Sequence, residues 1–179
     1  SDLCCGTVNG PAALISKVRN QAVNHGGCLN AQDCHLLERC LKTLELRVHR
    51  QSKNAGILAR QLDQVEQVQR VYYPGLEADP GHQIASRQME GFGGMLSFEL
   101  GDDIDPVGYL RRLKLVICAV SLGGVETTIC QPVATSHQKM PEPERRRLGI
   151  TAGLLRLSVG IEDAGDIAAD LLQALGDGA

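Results

Sequence analysis

The hydrophobic period of this chain changes near residue 65, and that change restricts the possible folds more than any other feature. Between residues 30 and 64 the apolar positions Leu37, Leu41, Leu44, Val48, Ala55, Leu58, Ala59 and Leu62 recur at the 3-4 spacing of a core-facing helix. This predicts one long helix from Asn30 to about Gln64, long enough to bridge two packing units or to kink near Gln51. Ahead of it, residues 3–8 (LCCGTV) read as a short buried strand ending at the turn pair Asn9-Gly10, and residues 12–24 as a helix opened by Pro11 and stopped by Gly26-Gly27. Beyond residue 65 the pattern alternates. Residues 68–73 (VQRVYY), 95–100 (MLSFEL) and 154–159 (LLRLSV) read as strands, and 115–120 (LVICAV) as a continuous apolar strand. Short helices are expected at 82–89 and 106–113, and an amphipathic one at 163–175 with Ile167, Leu171, Leu172 and Leu175 turned inward. Strands alternating with helices predict an α/β or α+β sandwich over residues 65–179, with helices on one or both faces of a sheet, preceded by a segment 1–64 that has too little around it to form its own core.

Composition removes several function classes. The chain is 43% hydrophobic and 22% charged, a globular balance that excludes a disordered chain. A net charge of -3 leaves no cationic surface for nucleic acid or an acidic membrane; the short basic runs at 47–50, 111–112 and 145–147 read as solvated helix faces or ends. With three Tyr, two Phe and no Trp, stacking platforms for single-stranded nucleic acid cannot be built in number. No apolar run is long enough to span a membrane and the N-terminus lacks a signal-peptide pattern, so a cytoplasmic location is expected. Seven cysteines without a C-x-x-C pair give neither a disulfide framework nor a zinc ribbon, and buried reduced thiols are expected. No metal site is expected.

Two places could carry chemistry. The sequence SLGG at 121–124 follows an apolar strand, and small residues there let backbone approach a ligand at a strand end, although an ordinary strand-to-loop turn uses the same letters. Arg156 interrupts the apolar strand LLRLSV; a guanidinium there is either an edge-strand arginine in water or a group seeking a partner, for which a carboxylate is the best match. His137, in the loop after Pro132, has no companion at ligand spacing. Walker, dinucleotide and nucleophile-elbow motifs are absent.

The segments RCLKTL (39–44), VYYPGL (71–76), RQMEGFGGMLSFEL (87–100), AVSLGGVET (119–127) and LGITAGLLRLSVGIED (148–163), in this order, resemble the C-terminal part of the Cys/Met-metabolism family of pyridoxal-phosphate enzymes. That family includes cystathionine γ-synthase, cystathionine γ- and β-lyases and methionine γ-lyase. The resemblance implies an aminotransferase-like (type I) fold, with residues 1–64 ending the cofactor-binding large domain through a connecting helix and residues 65–179 forming the small α/β domain. It implies pyridoxal 5'-phosphate as cofactor, and β- or γ-elimination or γ-replacement on a sulfur-containing or activated amino acid. Arg156 matches the family's grip on the substrate α-carboxylate, Ser121 a serine that orients the Schiff-base lysine, and Val120 a position lining the substrate side-chain pocket. An apolar Val there, where some relatives carry Glu, looks more like methionine γ-lyase. The loop QPVATSH (131–137) resembles the family's H-P-A-S-M-T-H with changed letters. Ser1-Asp2 resembles the end of the lysine motif, so the lysine is expected just upstream, and the 179-residue chain by itself is expected to be inactive. Its own upstream half and further copies, as homodimer or homotetramer, are the implied partners. The competing expectation is a non-catalytic split half or remnant that serves as a dimerisation or partner-binding module.

Overall fold

The computed structural model describes residues 3–176, so Ser1 and Asp2, on which the lysine-motif reading rests, lie outside the described residues. The chain divides into two compact units at Glu45/Leu46. That division falls in the first turn of a helix, most of which packs into the second unit's core.

In the first unit, helix α1 (Ala12–His25) follows Pro11 and ends at Gly26, whose φ of 77° is the left-handed conformation that closes a helix. Helix α2 (Ala31–Leu41) is capped by Asn30, whose side chain accepts from the Asp33 backbone N–H at 2.9 Å. Neither helix has a buried residue. The strand expected at 3–8 is not formed, and residues 4–8 are exposed: no described strand offers its backbone a ladder. The expectation of buried thiols fails with it. None of the seven cysteines forms a disulfide; Cys130 is buried, Cys40 half-buried, and Cys4, Cys5, Cys28, Cys34 and Cys118 are exposed.

The predicted long helix is two helices. It breaks at Lys42–Thr43 rather than near Gln51, and α3 runs Leu44–Leu62. Leu41 and Leu44, flanking the break, are exposed, so no core contact favours a continuous helix there.

The second unit is built on a five-stranded mixed sheet in the order β1-β2-β5-β4-β3. Its strands are β1 (Val68–Tyr72), β2 (Met95–Leu100), β3 (Ile117–Cys118), β4 (Thr128–Cys130) and β5 (Leu154–Ser158); β1, β2, β5 and β4 pair antiparallel and β3 pairs parallel to β4. Helices α4 (His82–Gln88), α5 (Pro106–Arg112), α6 (Glu142–Arg147) and α7 (Ala164–Gln173) fill the connections. Strands β1, β2 and β5 and helices α4, α5 and α7 stand where the periodicity placed them. The run LVICAV does not: two of its six residues form the edge strand β3, with Ile117 and Val120 about half exposed.

Alternation sorts the sheet into two faces. Val71, Leu96, Phe98, Leu100, Ile129, Leu155, Leu157 and Val159 share one core with Ala55, Leu58, Ala59 and Leu62 of α3, Tyr109 of α5, and Ile167, Ala168 and Leu171 of α7. The other face carries Tyr72, Ser97, Glu99, Thr128, Cys130, Arg156 and Ser158. Tyr109 is fully buried, edge-on to Phe98 at 6.2 Å, and its hydroxyl donates to the Leu171 carbonyl at 3.1 Å. Burial, then the nearby charge of Asp170, pushes its hydroxyl pKa up. Tyr109→Phe is expected to leave that carbonyl unpaired and to lower stability by about 1 kcal/mol, read as a lower urea midpoint at unchanged slope.

Candidate functional site

Strands β3 and β4 are parallel, so the chain must return to the start of the neighbouring strand, and it does so without a helix over residues 119–127. The return brings the loop over the polar face of the sheet, where three side chains of β4 and β5 catch its backbone. Arg156 donates through Nη2 to the carbonyls of Val120 at 2.7 Å and Ser121 at 3.1 Å. The Thr128 hydroxyl donates to the Ser121 carbonyl at 2.8 Å, and the Ser158 hydroxyl accepts from the Gly123 N–H at 2.8 Å. Thr128 and Ser158 face each other across β4 and β5 and are buried. The loop's far end is fastened by Glu162, whose carboxylate accepts from the Thr127 N–H at 2.6 Å and hydroxyl at 2.8 Å.

This placement removes the edge-strand position that one reading of Arg156 assumed. Strand β5 lies at the middle of the sheet, with Ser97 of β2 and Cys130 of β4 in register on either side of Arg156, so the guanidinium is not on an edge. Both of its hydrogen bonds use Nη2, while its Nε–H is buried and has no acceptor. An N–H left unpaired in a buried setting loses its full hydration, and a cationic donor so placed is completed by an anion. The planar fork of a guanidinium suits a carboxylate best.

The structure therefore brings Arg156, Val120 and Ser121 together, by the backbone carbonyls of the latter two. Val120 is about half exposed and Ser121 is exposed; the Ser121 hydroxyl is not among the groups that hold the loop. An apolar cleft of about 180 Å³ opens beside Val120, lined also by Leu110, Cys118, Ile129, Ala134 and Thr135. His137 lies apart, next to the Ser136 hydroxyl at 2.9 Å, with its backbone N–H bonded to the Pro132 carbonyl. Sequence reading missed Thr128, Ser158 and Gln51. Ser158 stands two residues from Arg156 on the same face, and Gln51 is a polar residue on the apolar stripe of α3, so both carried a readable signal.

A family model, described as Cys/Met metabolism PLP-dependent enzyme, matches residues 1–176. The chain belongs to this family. It is 42% identical over 176 residues to cystathionine gamma-synthase 1 of Arabidopsis thaliana, which covers 98% of this chain and 31% of that protein. It is 47% identical over 150 residues to cystathionine gamma-lyase of Bacillus subtilis, covering 84% of this chain and 40% of that protein. The solved cystathionine gamma-lyase of Micromonospora echinospora superposes with a TM-score of 0.88 at 40% identity, over 96% of this chain and 45% of that one. The chain thus spans less than half the length of these relatives, and its fold is a segment of the type I fold.

Pyridoxal phosphate is the cofactor of this family. The orphaned Nε–H of Arg156 fits the carboxylate of an amino acid carried by that cofactor. None of the five strands contains a lysine, and among the described residues no group of three or more His, Cys, Asp or Glu side chains could hold a metal ion. No helix among those residues is long and apolar enough to cross a membrane.

Proposed function

We propose that this chain supplies the substrate-binding side of a pyridoxal-phosphate enzyme that eliminates or replaces a group at a C–S or C–O bond of a sulfur-containing or activated amino acid. The observation that carries the proposal is the buried, unpartnered Nε–H of Arg156 on the central strand. When bound, pyridoxal phosphate supplies the electron sink for such chemistry. Arg156 grips the α-carboxylate and so fixes the orientation of the amino acid. Ser121, exposed at the loop's crest, orients the lysine amine contributed by an upstream segment. Val120 and the apolar cleft beside it receive the substrate's side chain; such walls suit a short thioether better than a second charged amino-acid head. By resemblance, the working protein is a cytoplasmic homodimer or homotetramer that includes the lysine-bearing segment.

With pyridoxal phosphate added, the protein carrying this chain and its lysine segment is expected to release a 2-oxo acid from L-methionine. Val120→Glu should raise KM for L-methionine roughly tenfold and favour L-cystathionine, since a pocket wall of one polarity discriminates against a substrate of the other by about that factor. Steady-state release of the 2-oxo acid from both substrates reads this out. No release from any sulfur amino acid would overturn the assignment.

A further inference from the structure

Gln51 lies on the core-facing stripe of α3 and is buried, yet it is polar. Its side-chain amide reaches away from its own helix and donates to the Gly124 carbonyl at 2.6 Å, at the end of the SLGG segment. The approach is tight on the other side too. A Cβ on Gly94, in the turn before β2, would lie 2.9 Å from the Gln51 Cβ and 3.4 Å from the Val159 carbonyl oxygen, so this turn has no room for a side chain. Gln51 is thus wedged between the turn that leads into β2 and the loop that leads out of β3. One turn further along α3, Asn54 donates to the carbonyls of Gly160 at 3.2 Å and Glu162 at 2.9 Å, so the same helix face also holds the segment that follows β5.

We propose that Gln51 is a positioning residue for the candidate site, acting through the Gly124 carbonyl on the loop whose Val120 and Ser121 carbonyls orient the guanidinium of Arg156. Beside the Glu162 anchor at Thr127, three side chains of the sheet and Gln51 of α3 hold this loop: Arg156 at Val120 and Ser121, Thr128 at Ser121, Ser158 at Gly123, and Gln51 at Gly124. A loop with two adjacent glycines at 123–124 has more conformational freedom to lose than any other two residues would give it, so the bond from Gln51 to Gly124, set between the Ser158 anchor at Gly123 and the Ile161 and Glu162 anchors at Val125 and Thr127, restrains the part of the loop with the most freedom. Without the Gln51 bond Gly124 is held only through its neighbours, the Gly123 N–H on Ser158 and the Val125 carbonyl on the Ile161 N–H, so the glycine pair moves more freely, the Val120 and Ser121 carbonyls spread over more positions, and the orientation of Arg156 loosens. The functional meaning of that orientation rests on the proposed carboxylate role of Arg156.

The test uses the 179-residue chain labelled with ¹⁵N, with Gln51→Met as the main variant because it keeps the volume and removes the donor. Gln51→Glu serves as a second, should Met repack the site. The first readout is the Arg156 Nε–H resonance without ligand, together with hydrogen exchange of the loop amides at 121–124. In both variants the Arg156 signal is expected to move or broaden and the loop amides to exchange at least tenfold faster, while amides of β2 and the melting of the remaining core stay as in wild type. Unchanged Arg156 and loop signals in a folded variant would overturn the positioning role. The second readout is titration with L-methionine, followed at the same Nε–H. A wild-type shift that saturates at severalfold lower concentration than in Gln51→Met supports the proposal, and equal affinities overturn it. If wild type shows no response to L-methionine, the carboxylate reading of Arg156 falls, and the first readout still decides the positioning role.

Discussion

Replacing Arg156 with Ala in the pyridoxal-phosphate-loaded enzyme is expected to raise KM for its amino-acid substrate about 100-fold. The reasoning starts from the strand. Arg156 is fixed at mid-sheet between Ser97 and Cys130, and its Nη2 is already committed to two backbone carbonyls, so the unpaired Nε–H and the N–H groups of Nη1 are the donors left for a ligand. Losing a hydrogen-bonded cation from a carboxylate typically removes roughly 2–4 kcal/mol, and each 1.4 kcal/mol is a factor of ten. Arg156→Lys keeps the charge but lacks the planar fork, and should recover part of the affinity without restoring it. Alanine also frees the Val120 carbonyl, while the Ser121 carbonyl keeps its bond from Thr128, so the loop loosens without being lost. Steady-state kinetics separate the two effects: a lost carboxylate grip appears mainly in KM, and a disordered loop lowers kcat as well. A KM within twofold of wild type would remove Arg156 from the substrate site.

How much of this was legible in the sequence differs by element. Alternation placed β1, β2 and β5 because each has a buried face opposite a polar one, and that contrast is written into the letters. It missed β4, whose three residues are all buried and too few to show a period. It overextended β3, because LVICAV has the composition of a central strand whereas the sheet ends there, and only Val116 of the run is buried. Residues 3–8 and the cysteines failed for a related reason: apolar letters announce burial only when something covers them, and the first unit's helices bury nothing among the described residues. The site divided in the same way. Arg156 was conspicuous as a charge inside an apolar strand, and its resemblance to the family's carboxylate grip gave it a role. Which strand was central, and hence that the guanidinium is not at an edge, depends on long-range pairing that one sequence does not spell out. Thr128, Ser158 and Gln51 act on backbone atoms across 7 to 73 positions of chain, so although the positions of Ser158 and Gln51 stand out in the sequence, the loop they hold does not.

Asp170→Ala should be among the most destabilising single changes in the second unit, lowering stability by about 3–5 kcal/mol and the melting temperature by roughly 10 °C at neutral pH. Asp170 is a buried carboxylate on α7 that accepts from three successive backbone N–H groups, those of Lys114, Leu115 and Val116, at 2.8–3.1 Å. These residues join α5 to β3 and have no ladder of their own to use, so removing the carboxylate strands their donors, the Val116 N–H in a buried position. The pH dependence follows from the same contacts. Burial raises the Asp170 pKa, but the bonds from Val116, Lys114 and Leu115 and from the Gln173 side chain outweigh it and hold the group below the usual carboxylate range. A depressed folded-state value means that the stabilisation is complete above the ordinary Asp range and is lost as pH falls through the folded value. The gap in melting temperature between wild type and Asp170→Ala is therefore expected to be largest at neutral pH and to close below about pH 4. Thermal melts at several pH values check this, and a gap that stays constant down to pH 2 would mean that the charge of Asp170 contributes nothing. The consequence reaches the candidate site, because the segment Asp170 holds leads through β3 directly into the loop that Arg156 grips at Val120 and Ser121. A chain that lost this anchor would lose the entry to this loop before it lost the sheet beneath it.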